Sequence, residues 1–374
     1  RRCSSIVFRS TSPMHRRFAA IAVSLLAVLY AAEPAHAQTD TIPADTAATD
    51  TAWVPASYNA LNLGVDGVGI SIGNSEEWAG LRLNLRDHDV RRVNGVNLTL
   101  WMPRRNPRFE MNGVAVGLIG PMARHVNGVA VGGLGVFANE DINGVAASGA
   151  VTIARQKING VAFGVVGAVG DRGINGVAGS GLITLAEGDV NGLTASGLIS
   201  IVEGRHTGVS GGLVAAYTNG SLRGISVSGL ATAVRGKSEG AVGSGVLVIG
   251  TAGTLNGLQI GGLAVLADSV NGVTAGGLLV QAAKVRGASV SVVRMRTSAL
   301  EGLSLSSWNE VRGTQRGLTI GLFNYARDIR GVQIGLLNYV RSNPKGLRLL
   351  PVFNTRFSGG RPAENPGTAG SGRR

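Results

Sequence analysis

Residues 142–157 read INGVAASGAVTIARQK, and residues 190–205 read VNGLTASGLISIVEGR, which is the same pattern of glycine, small and apolar residues. If the unit is counted from the residue before this glycine, such as Asn143 or Asn191, glycine is its second residue. Further copies of the unit recur about every sixteen residues between Asn94 and Lys345. An internal period this short is typical of a solenoid or closed β array, in which one unit cannot bury its apolar side alone. The chain is therefore expected to be a stack of equivalent units.

Each unit predicts two short strands and two corners. After the glycine, apolar residues alternate with small or polar ones, as in Val145-Ala146-Ala147, and this is the alternation of a β-strand. A pair such as Ser148-Gly149 marks a tight corner, after which a second apolar run begins. The polar stretch Arg155-Gln156-Lys157 marks a wider corner.

Two all-β architectures fit this unit. In a parallel β-solenoid each unit of 15–16 residues is one coil, and equivalent residues lie above one another. In an outer-membrane β-barrel of 16–18 strands each unit is one strand and one turn. Aromatic residues make up only 5% of the chain, too few for two interfacial girdles, and the connections do not alternate between short and long. The solenoid is the preferred prediction, and the barrel is the alternative.

The N-terminal residues predict export. From Met14, the basic stretch His15-Arg16-Arg17 precedes an apolar core and Ala35-His36-Ala37, the small-x-small pattern of a cleavage site. The apolar core has about thirteen residues, short of the roughly 20 that cross a bilayer, which favours a cleaved signal peptide over a membrane anchor. The chain is thus divided into an upstream segment outside the protein proper (1–13), a signal peptide (14–37), a flexible spacer (38–60), the β-repeat domain (61–357) and a disordered tail (358–374).

The composition restricts how the chain is stabilised and what it binds. The 374 residues include 58 glycines, and 44% are hydrophobic, which is too apolar for a disordered chain. The single cysteine, Cys3, precedes the predicted signal peptide, so the exported chain has no disulfide. The formal net charge of +13 favours anionic partners. For an exported protein the expected anionic partners are envelope or host polysaccharide or lipid head groups, and not nucleic acid. Binding to lipid head groups would associate the chain with a membrane. The oligomeric state is not predicted.

Nine units begin with an Asn-Gly pair, which predicts a turn because glycine accepts positive φ and asparagine hydrogen-bonds locally. In stacked coils the amides would also form a ladder along the stack. A calcium site is the functional alternative, but the Asp-rich spacing of calcium-binding repeats is missing, so neither a metal nor a cofactor is predicted. The predicted structural turns are Asn127, Gly128, Asn143, Gly144, Asn159, Gly160, Asn175, Gly176, Asn191 and Gly192.

Lysine and arginine recur in the wider corners. Stacking would bring them into a stripe along one edge, where they could hold an anionic polymer. Acidic residues share these corners, so the alternative is a solvated edge that prevents lateral strand pairing. The candidate stripe comprises Arg155, Lys157, Arg172, Arg205, Arg223, Arg235, Lys284, Arg286, Arg316, Arg330 and Lys345.

Two apparent catalytic motifs fail. Gly208–Gly212 matches the Gly-x-Ser-x-Gly elbow, but neighbouring units place Thr or Ser at the position of Ser210, so the match follows from the repeat. Gly236-Lys237-Ser238 ends like a phosphate-binding loop, but Ala231 occupies the position of its first glycine. No catalytic residue is predicted, and the chain is not expected to be an enzyme.

The C-terminal units resemble a known family. Residues 317–325 (GLTIGLFNY) and 331–339 (GVQIGLLNY) are similar to the Gly-Leu-Gln-Ile-Gly-Leu-x-Asn units of bacterial surface-repeat proteins of the leptospiral type. Residues 343–357 resemble the closing segment of such proteins, whereas the middle units share only the period. The resemblance implies an exported protein of the cell surface, outer membrane or periplasm with no active site to carry over. We expect a structural or adhesive display scaffold; the alternative is a barrel that acts as a pore or anchor.

Overall fold

The computed structural model describes residues 60–104 and 106–356. The predicted upstream segment, signal peptide and tail, and the spacer as far as residue 59, lie outside the described residues. Within the described ranges no helix has the length and hydropathy needed to cross a bilayer. A 3-10 helix spans Lys345–Leu347, and the strands are β1 (Ala60–Val65), β2 (Val68–Gly73), β3 (Glu77–Asn84), β4 (Arg92–Thr99), β5 (Glu110–Gly117), β6 (Met122–Ala123), β7 (His125–Gly132), β8 (Gly135–Ala138), β9 (Ile142–Ser148), β10 (Val151–Ala154), β11 (Lys157–Gly164), β12 (Gly167–Gly170), β13 (Gly173–Ser180), β14 (Ile183–Ala186), β15 (Asp189–Ser196), β16 (Ile199–Val202), β17 (His206–Gly212), β18 (Ala215–Thr218), β19 (Leu222–Ser228), β20 (Ala231–Val234), β21 (Ser238–Ser244), β22 (Leu247–Gly261), β23 (Ala264–Gly276), β24 (Leu279–Ser291), β25 (Arg294–Leu305), β26 (Trp308–Ile320), β27 (Phe323–Val340) and β28 (Leu349–Thr355).

Successive coils pair in parallel and in register. β11 pairs with β9 on one side and with β13 on the other, so Gly160 lies between Gly144 and Gly176. The shorter strands form a second parallel series, in which β12 pairs with β10 and β14. About sixteen turns stacked in this way form a parallel β-solenoid, which confirms the preferred architecture.

Each middle coil has two faces and two corners. The strands of the β7, β9 … β21 series form the long-strand face, and the four-residue strands of the β8, β10 … β20 series form the short-strand face. A narrow corner follows Ser148, and a wide corner follows Ala154, as the Ser-Gly pairs and polar stretches predicted. From β22 onwards one continuous strand covers both faces and the wide corner between them. The length of this corner varies from coil to coil, and the pairing of β22 with β23 shifts register there, between Gly250 and Thr254.

Antiparallel strands close both ends of the parallel stack. β1 pairs antiparallel with β2 through a tight turn at Asp66-Gly67, whose φ angles are 50° and 76°. Positive φ at both central residues suits a hairpin between twisted strands. At the other end β28 runs antiparallel to β27. The end strands therefore differ from the repeating coils, as is usual for the terminal units of repeat proteins.

The interior is thin and holds one row of large aliphatic side chains, which includes Ile142, Ile158 and Ile174, beside rows of small ones. In each long strand the residue two after the glycine points inward, and Ala115, Ala130, Ala146, Ala162 and Ala178 form a buried row there. One apolar cluster runs along the stack as far as Val202, and a second begins at Leu222. Buried polar residues separate the two clusters.

Candidate functional site

The Asn-Gly pairs lie inside the long strands and not at a corner. Asn143-Gly144 is within β9, and Asn159-Gly160 is within β11. The glycine is needed because a Cβ on Gly160 would lie only 2.1 Å from the carbonyl oxygen of Gly144 in the coil before it. The prediction of turns is therefore wrong at Asn127, Gly128, Asn143, Gly144, Asn159, Gly160, Asn175, Gly176, Asn191 and Gly192, all of which belong to strands.

The predicted amide ladder is present on the outer surface. Each asparagine Nδ2 donates to the Oδ1 of the asparagine one coil earlier, at distances between 2.8 Å (Asn112 to Asn94) and 3.1 Å (Asn191 to Asn175). In the next coils Thr207 occupies the same position, and the ladder ends there. We call this run the asparagine row; its members are Asn94, Asn112, Asn127, Asn143, Asn159, Asn175 and Asn191.

The predicted cations of the middle coils are placed among acids. Arg155 begins a wide-corner row in which Asp171, Glu187 and Glu203 occupy the equivalent places of the following coils. Burial and the neighbouring Glu187 raise the pKa of Asp171, and Arg155 offsets this only in part. This row is therefore acidic along much of its length. Arg235 lies further along the same row. The neighbouring row contains Lys157 and Arg205 together with Asp141 and Asp189. Arg172 is exposed at the same wide corner.

Further along the chain, the stacking brings several predicted cations together in one row. Arg286, Glu301 and Arg316 occupy equivalent positions of successive coils, in continuation of the asparagine row, and Arg330 follows. Glu301 accepts a hydrogen bond from Arg286 Nε at 2.7 Å and lies 3.5 Å from Arg316 Nη1. The hydrogen bond from Arg286 holds the pKa of Glu301 below its usual value. The remaining members of the predicted stripe are Lys284, 3.9 Å from Glu301; Arg223, 3.1 Å from Glu239; and Lys345, in the 3-10 helix.

Among the described residues, one group has the composition of a metal site. His125 Nε2 lies 3.2 Å from Glu140, and His125 Nδ1 lies 3.7 Å from Asp141. The two carboxylates thus approach opposite nitrogens of the ring, and Arg124 Nε already donates to Glu140 at 2.7 Å. In this arrangement Glu140 is already paired with Arg124, and the His125 ring lies between the two carboxylates.

The serine of the apparent catalytic elbow points into the core. Ser210 is buried in β17, and its register neighbours in the adjacent coils are Thr194 and Ser226. Among the residues that the structure describes, its hydroxyl has no hydrogen-bond partner. The Gly-x-Ser-x-Gly match therefore corresponds to one inward row of small polar side chains, out of reach of a substrate.

His206 lies in the polar layer between the two apolar clusters. It is fully buried in the row that elsewhere holds Ile174, Val190 and Leu222. Within the described part of the chain, neither ring nitrogen makes a hydrogen bond of normal geometry. Burial lowers the pKa of His206, and the nearby backbone of Gly192 opposes this only in part. The neutral ring is therefore the form that the fold favours.

A buried ion pair near the first coils was not predicted. Arg82 Nη1 contacts Asp87, Arg82 Nη2 donates to Asn74 at 2.8 Å, and Thr99 donates to Asp87 at 2.6 Å. Burial alone would raise the pKa of Asp87, but the charge of Arg82 and several hydrogen bonds outweigh it and lower the pKa. The sequence signal was available: Arg82 occupies the inward position of a strand between two leucines.

A comparison with family models, with curated proteins and with solved structures finds no match to this chain. The resemblance to surface-repeat proteins thus depends on residues 317–325, 331–339 and 343–357 and on the period. The geometry therefore has to carry the functional argument.

Proposed function

We propose that this chain is an exported, non-catalytic scaffold of the bacterial cell envelope, which displays rows of identical or similar side chains to its partners. The observation that carries the proposal is the register of the coils, in which each residue lies against its equivalent over about sixteen turns. At about 4.8 Å per coil, such a stack is roughly 80 Å long. A partner with a repeating structure of its own would meet the same side chain many times at constant spacing.

The fold supports a rigid form of display. Both faces of each middle coil are hydrogen-bonded to the coils before and after it. The asparagine row adds side-chain bonds along the same direction on the outer surface. Ladders of this kind resist bending and local opening because each unit is held by two neighbours. The displayed rows would therefore keep a fixed spacing.

Export and envelope location are supported by sequence features. The segment 14–37 has the organisation of a signal peptide, and the C-terminal units resemble those of bacterial surface-repeat proteins. The net positive charge suits acidic polysaccharide or lipid head groups. Because Glu301 and Glu239 contact several of the cations, we expect binding of such polymers to be weak and to disappear at raised ionic strength.

Surface labelling of intact cells tests the location. A short epitope inserted at the wide corner between Glu187 and Gly188 should be reached by antibody on intact Gram-negative cells that produce the full chain. The control is the same chain without residues 14–37, in which the epitope should be reached only after lysis. If the full chain keeps its epitope in the cytosol, the proposed export is wrong.

Deletion of whole and half coils tests the role of the register. Removal of residues 159–174 joins Ile158 to Asn175, which preserves every row, so the shortened chain should fold and should still be displayed. Removal of residues 159–166 takes out half a coil, which places the polar corner residues Asp171 and Arg172 in strand positions against Ala147 and Ser148 of β9. We expect this second variant to be degraded. Equal display of both variants would contradict a scaffold whose function depends on stacked rows.

A further inference from the structure

The long-strand face carries large apolar side chains on its outside. The residue after each glycine points outward, and Val145, Val177 and Leu193 are each about two-fifths exposed. A second outward row lies two residues further along each strand and includes Val131, Phe163 and Ile260. We call these two rows the apolar face; the first row comprises Val114, Val129, Val145, Val161, Val177, Leu193, Val209, Ile225, Leu258, Val273, Leu303, Leu318 and Val332, with Ala241 and Ala288 at the equivalent places.

The apolar face is continuous along the described stack. In the first row every member just named is aliphatic, and Ile320 and Ile334 continue the second row to the last coils. The short-strand face differs, because its outward positions become Gln281, Arg296 and Glu310 in the C-terminal coils. A contiguous apolar surface of this length is far larger than the patches that soluble monomers normally expose.

The edge of the apolar face is polar but offers few unpaired charges. Along the middle coils it is bordered by the asparagine row, whose amides bond to one another. Where arginines replace asparagine, Glu239 pairs with Arg223, and Glu301 pairs with Arg286 and Arg316. An apolar centre with a neutral, hydrogen-bonding rim is the anatomy of a protein–protein interface. A surface built for anionic lipid would instead need a border of unpaired cations.

We propose that the apolar face binds the same face of a second copy of this chain, forming a two-fold symmetric dimer. The two rows and the adjacent narrow corner are about 15 Å wide and about 75 Å long, so two faces in contact hide more than about 2,000 Å², which is the size range of obligate homodimers. A single self-complementary face is all that such a symmetric contact requires. The proposal concerns assembly and does not depend on the proposed display function.

The centre of the apolar face has relief that a second copy can fill. Phe163 projects from the second row, and its ring covers Gly179, where an added Cβ would lie 3.3 Å from Phe163 Cδ2. The next two coils carry only Ala195 and Gly211 in this row, and Val227 follows them. The small residues form a shallow depression between Phe163 and Val227, into which large side chains of the partner can pack.

Sedimentation velocity of the full chain, in detergent-free buffer from about 1 to 100 µM, tests the dimer. We expect a dimer, and we expect the double substitution Val177→Lys and Leu193→Lys to weaken it by about 100-fold or more, because the lysines would be buried without partners. The control, Leu185→Lys with Ile201→Lys, changes the same two coils on the short-strand face and should leave the dimer unchanged. Circular dichroism verifies that each variant is folded.

If the lysine variant does not fold, Val177→Thr with Leu193→Thr is measured in its place, because threonine keeps the strand and the shape but adds hydroxyls; it should weaken the dimer by about 10-fold. A wild-type chain that stays monomeric over the whole concentration range overturns the proposal. So does a dimer that survives both face variants. A monomer that floats with vesicles of anionic phospholipid also overturns it and would assign the apolar face to a membrane.

Discussion

Replacing Gly160 by alanine should open the stack at one coil. Gly160 has φ +133°, a region that L-residues rarely adopt, and an added Cβ would lie 2.1 Å from the Gly144 carbonyl oxygen. Real Cβ atoms essentially never approach another atom closer than 3.0 Å. The β11 backbone must therefore move away from β9 by about 1 Å, a movement that a close-packed stack resists.

The cost can be built up from two terms. Holding a residue other than glycine in this backbone region costs of order 1–3 kcal/mol. A displacement of about 1 Å also weakens two or three of the backbone bonds between β9 and β11, at about 1 kcal/mol each. We therefore expect Gly160→Ala to lower the free energy of unfolding by about 3–6 kcal/mol, which is a large part of the stability of an ordinary domain.

Gly211→Ala is the matched control. Gly211 also lies in a long strand, but it has no positive φ, and its added Cβ would meet nothing closer than the Val227 oxygen at 4.0 Å. We expect this variant to be as stable as the wild type or up to about 1 kcal/mol more stable. Urea unfolding followed by circular dichroism gives both values, and hydrogen exchange should show the loss of protection centred on β9–β13. If the two variants unfold at the same urea concentration, the glycine rows are not required by the close approach of the coils.

Three further predictions concern polar groups. Burial lowers the pKa of His206, so its contribution to stability is complete above about pH 6.5 and is lost as the pH falls through the lower pKa of the folded state. The wild type should therefore melt at a lower temperature at about pH 5 than at about pH 8. His206→Leu should reduce this difference. Asn159→Ala removes one donated and one accepted hydrogen bond of the asparagine row and should lower the free energy of unfolding, measured by urea denaturation, by about 1–2 kcal/mol. The loss should exceed that of Thr207→Ala, which changes the equivalent position of the coil just beyond the row. Asp87→Asn leaves the buried Arg82 without its partner charge and should lower the free energy of unfolding, measured by thermal denaturation, by about 3–5 kcal/mol. The double substitution Arg82→Met with Asp87→Leu should recover most of the loss.

The sequence favoured the correct architecture over the barrel because a solenoid has the same period in sequence and in space. The Ser-Gly corner after Ser148 and the polar corner after Ala154 could be assigned from a single unit. The place of the Asn-Gly pairs within the strands could not be assigned in this way, because a turn is only one of the structures that such a pair favours. Gly160 is required by Gly144, which lies sixteen residues earlier, and a contact of that kind is invisible until the register between coils is known. The same holds for His206, whose burial follows from its place in a row of aliphatic residues.

The side of each strand that faces inward was also hidden, because both alternating positions of a unit are apolar. Val145 is 44% exposed, while Ala146 beside it is fully buried. Hydrophobicity alone would bury the larger side chain, since it gains more by leaving water. The interior of a coil of about sixteen residues holds one row of large side chains, such as Ile142, Ile158 and Ile174, whereas the row that includes Ala146 is filled mainly by alanine, serine and threonine while valine and leucine beside it turn outward. The aliphatic rows on the outside of the stack gain their burial only when something covers them. The exposed face is therefore a consequence of the thin coil, and it is the reason to expect that a second chain completes the fold.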